Sequence, residues 1–222
     1  MIKDYKTGFL NVYKEAGFTS HDAVAKLRGI LHTKKVGHTG TLDPEATGVL
    51  PIAIGRATKA IELLPDHSKS YDAVFLLGVE TTTYDTAGKI LEKRGVDVTE
   101  DELIAAVRSF VGDIEQIPPM YSAKRVDGKR LYELARQGIE IERKPAKIHI
   151  DEIKIVETNI PYVKLHIECS KGTYIRSLCH DIGQKLGCGG CMDELVRTRA
   201  GSFLLENAHH LDEIEQAMDD GR

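Results

Sequence analysis

Residues 35–59, KVGHTGTLDPEATGVLPIAIGRATK, divide into two parts of opposite character. Val49 to Ile54 is an unbroken apolar run, the pattern of a strand buried on both faces. Lys34 to Thr47 has no periodicity and holds Gly37, Gly40 and Pro44, so it reads as an ordered loop leading into that strand. Asp43 precedes Pro44, which biases its backbone to extended conformations. The two glycines permit tight turns and close approach of a ligand to the main chain. The loop therefore presents a short carboxylate beside His38, Thr39 and Thr41. Asp-Pro is also a common turn signal, so local pattern leaves Asp43 as either a turn residue or a functional group.

Outward from this stretch, strands and helices mix. Gly8 to Tyr13 reads as a strand. Ser20 is a plausible N-cap for a helix to His32, with Val24, Leu27, Ile30 and Leu31 at helical spacing. Downstream, a short helix is expected from Ala57 to Leu64, then strands from Ser70 to Val79 and Lys89 to Lys93. Thr99 and Glu102 match a capping box that opens a helix to Phe110. A short helix from Leu131 to Gln137 is stopped by Gly138. Ile148 to Val156 and Tyr162 to Cys169 alternate as strands. A helix from Thr173 to Leu186, a strand from Met192 to Arg199 and a helix from His210 to Met218 complete the chain. Without strict βαβ alternation, this order predicts an α+β fold with a mixed sheet.

Bulk properties narrow the function classes. No apolar run approaches the roughly 18 residues of a membrane span, and residues 1–6 carry no signal-peptide core; a cytoplasmic protein without membrane contact is expected. Cys169, Cys179, Cys188 and Cys191 are then reduced thiols. Cys188 and Cys191 have C-x-x-C spacing, but a structural zinc site needs a second ligand pair and no other pair has similar spacing, so no metal is expected. The net charge is −4, yet residues 206–222 alone carry −5, which leaves residues 1–205 at +1. Residues 119–147 hold eight bases against four acids. This basic segment, bounded by Pro119 and Pro145 and containing Tyr121 and Tyr132, reads as an insertion reaching out from the sheet. A solvated basic face is the plain alternative.

Four motifs in order carry a resemblance. They are the 35–59 stretch, Ser70-Tyr71, residues 113–123 (DIEQIPPMYSA) and residues 170–177 (SKGTYIRS). Together they resemble the TruB family, the bacterial tRNA pseudouridine-55 synthases, over about residues 8–205. Four long motifs in sequence are far more specific than one short pattern. The resemblance implies a pseudouridine-synthase-like mixed, mainly antiparallel sheet flanked by helices, with an RNA-gripping insertion at 119–147. It implies a catalytic domain over 1–205, and an acidic segment at 206–222 in place of the full accessory RNA-binding domain of many relatives.

The implied chemistry is isomerisation of a T-loop uridine at position 55: the N1–C1′ bond breaks, the base turns, and C5 joins C1′. The reaction is redox-neutral and implies no cofactor. Asp43 matches the family's catalytic aspartate, acting as nucleophile at the sugar or as base at C2′. Arg176 matches the arginine that pairs with that carboxylate through a charge-assisted fork. Tyr71 matches the tyrosine that stacks on the extruded base, with a hydroxyl suited to moving the C5 proton. Tyr174 and Leu195 fall where the family lines its uracil pocket, and His38 where a histidine fills the space left by the flipped nucleotide. Lys14 is kept from the family's Asp-Lys-Pro motif, although Glu15 stands where proline is usual, and is expected among the substrate-binding residues. Lys124, Arg125, Lys129 and Arg130 of the insertion are expected to contact RNA. The implied partner is the T arm of tRNA, bound by a monomer; the insertion resembles that of the stand-alone enzymes, which implies no guide RNA. The competing readings are a non-catalytic RNA-binding module and a guide-dependent enzyme.

Overall fold

The apolar run forms β3 (Thr47–Ile54), with every residue from Gly48 to Ala53 buried. The computed structural model describes residues 7–126 and 128–220. They fall into two compact units, Met1–Tyr71 with Leu195–Arg222, and Asp72–Glu194. The chain passes from one unit to the other within β4 (Lys69–Leu77) and again within β12 (Gly190–Ala200).

In the first unit, β1 (Gly8–Lys14) pairs antiparallel with the whole length of β3, from Gly8↔Ile54 to Lys14↔Gly48. β12 runs parallel to β3 at Val196↔Thr47 and Arg197↔Gly48. That pairing covers only the start of β3. The Ile52–Ile54 end is completed by β2 (Val36–His38), antiparallel from Val36↔Ile54 to His38↔Ile52. Part of the expected loop is therefore a short strand, because the backbone groups of a buried strand need partners along their full length. β13 (Phe203–Leu204) pairs with the end of β12.

α1 (Ser20–Ile30) and α5 (Leu211–Asp219) close the core of this unit. Ala23, Val24 and Leu27 of α1 and Leu211 and Ile214 of α5 pack with Val12, Val36, Leu50 and Ile52. Each large aliphatic side chain so buried contributes roughly 1.5–3 kcal/mol. The acidic C-terminal segment is thus amphipathic. It is also tied to β1, since His209 N–H donates to Asn11 O at 2.9 Å and Tyr13 N–H donates to His209 O at 2.9 Å. Thr19, not Ser20, caps α1: the Thr19 hydroxyl accepts from Asp22 N–H at 3.0 Å, and the Asp22 carboxylate accepts from Thr19 N–H at 2.9 Å. The expected helix after β3 is a 3-10 helix, Gly55–Leu63.

In the second unit the sheet order is β4, β11 (Tyr162–Cys169), β10 (Ala146–Asn159), β7 (Gly112–Gln116), with β10 antiparallel to β11 and to β7. α2 (Glu100–Arg108), opened by the expected Thr99–Glu102 capping box, packs on β10 and on α4 (Ile175–Lys185). Gly78, at φ +81°, ends β4 before the hairpin of β5 (Val79–Thr81) and β6 (Ile90–Lys93). The insertion carries a hairpin of β8 (Arg125–Val126) and β9 (Lys129–Arg130) followed by α3 (Leu131–Ala135). The β1–β3, β2–β3, β10–β11, β10–β7 and β12–β13 ladders are antiparallel and β3–β12 is parallel, so the fold is α+β with a mixed, mainly antiparallel sheet flanked by helices.

Candidate active site

Asp43 sits in a loop whose backbone is held on both sides by buried polar side chains. Ahead of it, Leu42 N–H donates to Ser20 Oγ at 2.8 Å and Ser20 Oγ donates to Leu42 O at 3.0 Å. After it, Pro44 O accepts from Lys14 Nζ at 2.9 Å and from Gly17 N–H at 3.0 Å. Further back, the Arg197 guanidinium donates to Gly40 O at 3.1 Å and Thr41 O at 3.3 Å, and through Nε to Val49 O at 2.6 Å. Buried side chains thereby hold the main chain of Gly40, Thr41, Leu42 and Pro44, and Asp43 O accepts from Ala46 N–H at 3.2 Å.

Lys14 and Arg197 are fully buried. Lys14 Nζ also donates to Glu15 O at 2.8 Å and Phe18 O at 2.7 Å. Expected among the substrate-binding residues, its ammonium instead lies beneath the loop, fully engaged with main-chain carbonyls. Burial pulls its pKa from the usual lysine value down to about 8, against the pull of Glu45 and Asp43. Gly48, at φ +99°, is required where β3 meets β12: a Cβ there would stand 2.3 Å from Arg197 O.

His38 ends β2, half-buried, with its Nδ1 buried and without a hydrogen-bond partner among the described residues. Burial lowers its pKa, helped by His21 and Arg197. The His21 ring stands edge-on at a centroid distance of 6.2 Å. Leu195 and Tyr71 are both buried in this unit, on β12 and β4. Leu195 and Arg197 share one face of β12, two residues apart, so the strand that offers Leu195 also anchors the Asp43 loop.

The second unit builds its own cluster around Arg176, which lies in the first turn of α4 and is 4% exposed. Its guanidinium donates to Thr83 O and to Tyr121 O, each at 2.8 Å, and stands 3.6 Å from Asp85 Oδ2. Thr83 Oγ1 donates to Asp85 Oδ1 at 2.5 Å, which orients that carboxylate. Gln116, buried at the end of β7, grips Tyr174 through both ends of its amide: Tyr174 N–H donates to Gln116 Oε1 at 2.8 Å, and Gln116 Nε2 donates to Tyr174 O at 3.1 Å. Ser177 Oγ donates to Ile117 O at 3.3 Å. Two of the sequence motifs, residues 113–123 and 170–177, are therefore bonded to each other.

In the insertion, Lys124, Arg125 and Lys129 are exposed on the hairpin. Arg130 turns back, donating to Tyr132 OH at 2.8 Å, and Arg136 lies 5.3 Å over the same ring. Cys188 and Cys191 are buried, and burial pushes the Cys191 thiol up to about 12.

Sequence reasoning missed five residues: Ser20 as a loop clamp, Arg197, Asp85, Thr83 and Gln116. For Arg197 a signal existed, since period-2 counting from Leu195 sets a charge on a buried strand face. The others act across 22 to 93 residues of chain, a separation that local pattern does not report.

Comparison with known proteins places these motifs in a family. The model for "TruB family pseudouridylate synthase (N terminal domain)" matches residues 28–175, and that for "tRNA pseudouridylate synthase B C-terminal domain" matches residues 176–221. The tRNA pseudouridine synthase B of Clostridium acetobutylicum is 56% identical over 196 residues, 88% of this chain and 68% of that protein. The protein of the same name from Bacillus pumilus is 51% identical over 221 residues, 96% of this chain and 72% of that protein. Among solved structures, a chain of a Cbf5-Nop10-Gar1 complex superposes with a TM-score of 0.76 at 32% identity, covering 98% of this chain; the chain spans 57% of that one.

Proposed function

The chain belongs to the TruB family of pseudouridylate synthases, and on that premise we propose that it isomerises uridine 55 in the T loop of tRNA to pseudouridine, with Asp43 as the reacting carboxylate. The observation that carries this reading is the loop itself. Three buried side chains from separate elements are spent on fixing the backbone around one aspartate, an investment that an ordinary turn does not need and that a reacting group does.

In this reading the target nucleotide is flipped out of its stack, at a cost of a few kcal/mol, and His38 fills the space it leaves. Its unpartnered Nδ1 gives the ring a polar atom to offer RNA. Tyr71, Tyr174 and Leu195 enclose the uracil. Asp43 attacks C1′ or takes the C2′ proton, and the N1–C1′ bond breaks. After rotation C5 bonds to C1′ as the C1′–Asp43 ester breaks, or as Asp43 returns the proton to C2′; the C5 proton then leaves with help from the Tyr71 hydroxyl, and N1 ends protonated. Arg176 aims the carboxylate and is itself held by Thr83, Tyr121 and Asp85. No electrons are gained or lost, so the chemistry calls for no cofactor. Lys14 acts by positioning the loop.

Residues 1–205 then form the catalytic domain and 119–147 its RNA-gripping insertion, where Lys124, Arg125, Lys129 and Arg130 meet phosphates. Within the 206–222 stretch, Leu211 and Ile214 support the first unit's core. The enzyme works in the cytoplasm, as a monomer and without a guide RNA. Among the described residues no helix is long and apolar enough to cross a membrane.

The test is release of tritium from C5-labelled uridine in a tRNA transcript, with pseudouridine mapped afterwards and no guide or second protein added. The protein should modify position 55, and Asp43→Asn should abolish release while binding persists. Retained release in Asp43→Asn would sink the assignment; a requirement for added guide RNA would move the protein to the guide-dependent class.

A further inference from the structure

Arg176 does not hold the loop between β5 and β6 alone. His180 lies four residues further along α4, on the same face of the helix. Its ring stacks on the Tyr84 ring at a centroid distance of 4.0 Å and an interplanar angle of 14°. Tyr84 stands between Thr83 and Asp85, the two residues of that loop that meet the Arg176 guanidinium. One helix face therefore engages three consecutive residues: Thr83 through its carbonyl, Tyr84 through its ring and Asp85 through its carboxylate.

The middle residue is the conformational outlier. Tyr84 has φ +64°, in the left-handed region where a Cβ crowds the backbone and glycine is the usual occupant. The left-handed step turns the chain, and Thr83 O and the Asp85 carboxylate both face one guanidinium. Main-chain bonds hold part of this turn. Met192 N–H donates to Tyr84 O at 2.9 Å, Thr86 N–H donates to Met192 O at 2.9 Å, and Thr81 Oγ1 donates to Asp85 O at 2.6 Å. A glycine at position 84 would leave all three in place. What tyrosine adds at this strained position is its ring, and the ring stacks on His180. The His180 ring, in turn, is not placed by a hydrogen bond at Nδ1, which is buried and has no partner among the described residues. Burial lowers its pKa against the pull of Glu80, so the imidazole is uncharged at neutral pH.

We propose that Tyr84 and His180 are positioning residues for the reaction: their stack seats the 83–85 turn on α4, so that Arg176 keeps the orientation in which it aims the reacting carboxylate. The inference rests on the function proposed above. Neither ring is given a contact with RNA or with the reacting atoms; both act through Arg176. Strain held at one residue is kept where the surroundings over-determine it, and here the surroundings are the second face-mate of the arginine whose supports that residue carries.

The experiment separates ring from backbone. Tyr84→Gly removes the ring and suits the left-handed conformation. His180→Leu removes the partner ring and keeps a good helix former. Tyr84→Phe and His180→Phe each keep two flat rings. Turnover is followed by tritium release from tRNA transcript, with thermal unfolding alongside. A misplacement of about 1 Å at a reacting group costs on the order of 10²-fold in rate, and loosening one support of Arg176 is a smaller disturbance. Tyr84→Gly and His180→Leu should therefore each lower kcat about tenfold while KM for tRNA stays within about twofold. Each Phe variant should recover at least about half of the wild-type kcat, since the stack survives. Tyr84→Gly/His180→Leu should lose no more than either single variant, because both remove the same contact. A kcat within about twofold of wild type in a folded Tyr84→Gly or His180→Leu, a loss confined to KM, or losses that multiply in the double variant overturns the proposal. A readout independent of activity is the NMR resonance of the Arg176 Nε–H, assigned by its absence in Arg176→Lys. In the RNA-free protein it should shift in His180→Leu and hold its place in Tyr84→Phe; no shift in His180→Leu also overturns the proposal. Should the wild type make no pseudouridine, the proposed function falls, and this resonance still decides whether the stack sets the guanidinium.

Discussion

Replacing Arg197 with Met tests whether the loop's geometry, and not merely the presence of Asp43, sets the rate. The substitution keeps an apolar stem in the buried space and removes three hydrogen bonds, to Val49 O at 2.6 Å, Gly40 O at 3.1 Å and Thr41 O at 3.3 Å. A bond from a charged donor is worth about 1.5–3 kcal/mol net. The longest of the three counts for less, and the variant no longer pays to desolvate a guanidinium, so a loss of about 2–4 kcal/mol in stability is expected. The larger effect falls on chemistry. Gly40 and Thr41 lose their anchor, and a displacement of about 1 Å at a reacting group costs on the order of 10²-fold in rate. Single-turnover tritium release at saturating tRNA should fall by that factor while Kd for tRNA changes less than about threefold, since Arg197 is fully buried and cannot touch RNA. Arg197→Lys separates charge from geometry: it keeps the cation and loses the fork, so it should recover less than a tenth of the lost rate. A wild-type single-turnover rate in Arg197→Met, with the protein folded, would refute the clamp.

Two further outcomes follow from the same loop. Ser20→Ala removes both bonds to Leu42 and leaves a buried N–H unpaired, which should destabilise the protein by about 1–3 kcal/mol in thermal or urea unfolding; an unchanged transition would show that the loop does not depend on this contact. Lys14 gives a pH signature: the folded chain releases its proton near pH 8 whereas the unfolded chain keeps it to the usual lysine value of 10.5, so in that window the unfolded state binds more protons and this group's contribution to stability rises with pH. Urea unfolding across pH 8–10.5 should show a rise in wild type relative to Lys14→Met, with a slope difference of up to about 1.4 kcal/mol per pH unit; parallel curves would mean the ammonium is not desolvated as the structure has it.

The parts of the fold legible in sequence are those fixed by local chemistry. The apolar run Val49–Ile54 announced a strand buried on both faces, and Thr99 with Glu102 announced a helix start; both are present. Thr19 and Ser20 are equally good cap residues by type. Asp22, three residues after Thr19, decides between them by completing the capping box, and Ser20 is thereby released to hold Leu42. β7 and the β8–β9 hairpin escaped because they are short and polar; β7 is a strand through its pairing with β10, some 30 residues away. The site divides in the same way. Motif resemblance singled out Asp43, Tyr71 and Arg176 from their neighbours in the chain, but the supports of Arg176 lie 55 and 93 residues distant. A hydrogen bond between a guanidinium and a remote carbonyl leaves no local trace, because a carbonyl is offered by every residue.

That last point also explains how two cations can be buried beneath the Asp43 loop. Taking an ion out of water costs several kcal/mol, and a buried ion usually recovers it by pairing with an opposite charge. Lys14 and Arg197 do not: six main-chain carbonyls satisfy them, and among the described residues no carboxylate lies within ion-pair distance of either. A carboxylate partner under the loop would cancel their charge and hold no backbone. Carbonyl dipoles leave the net charge in place, little screened in the interior, and the three bonds to Gly40, Thr41 and Pro44 each fix one peptide of the loop. The carboxylates that pull the Lys14 pKa back up against burial are Glu45 and Asp43, both on that loop, and, last, Asp22 of α1. Geometry and field are therefore one device, and the Arg197→Lys and Arg197→Met pair divides it: rescue by Lys would assign the rate to the field, and failure of Lys to rescue would assign it to the fork that holds Gly40 and Thr41.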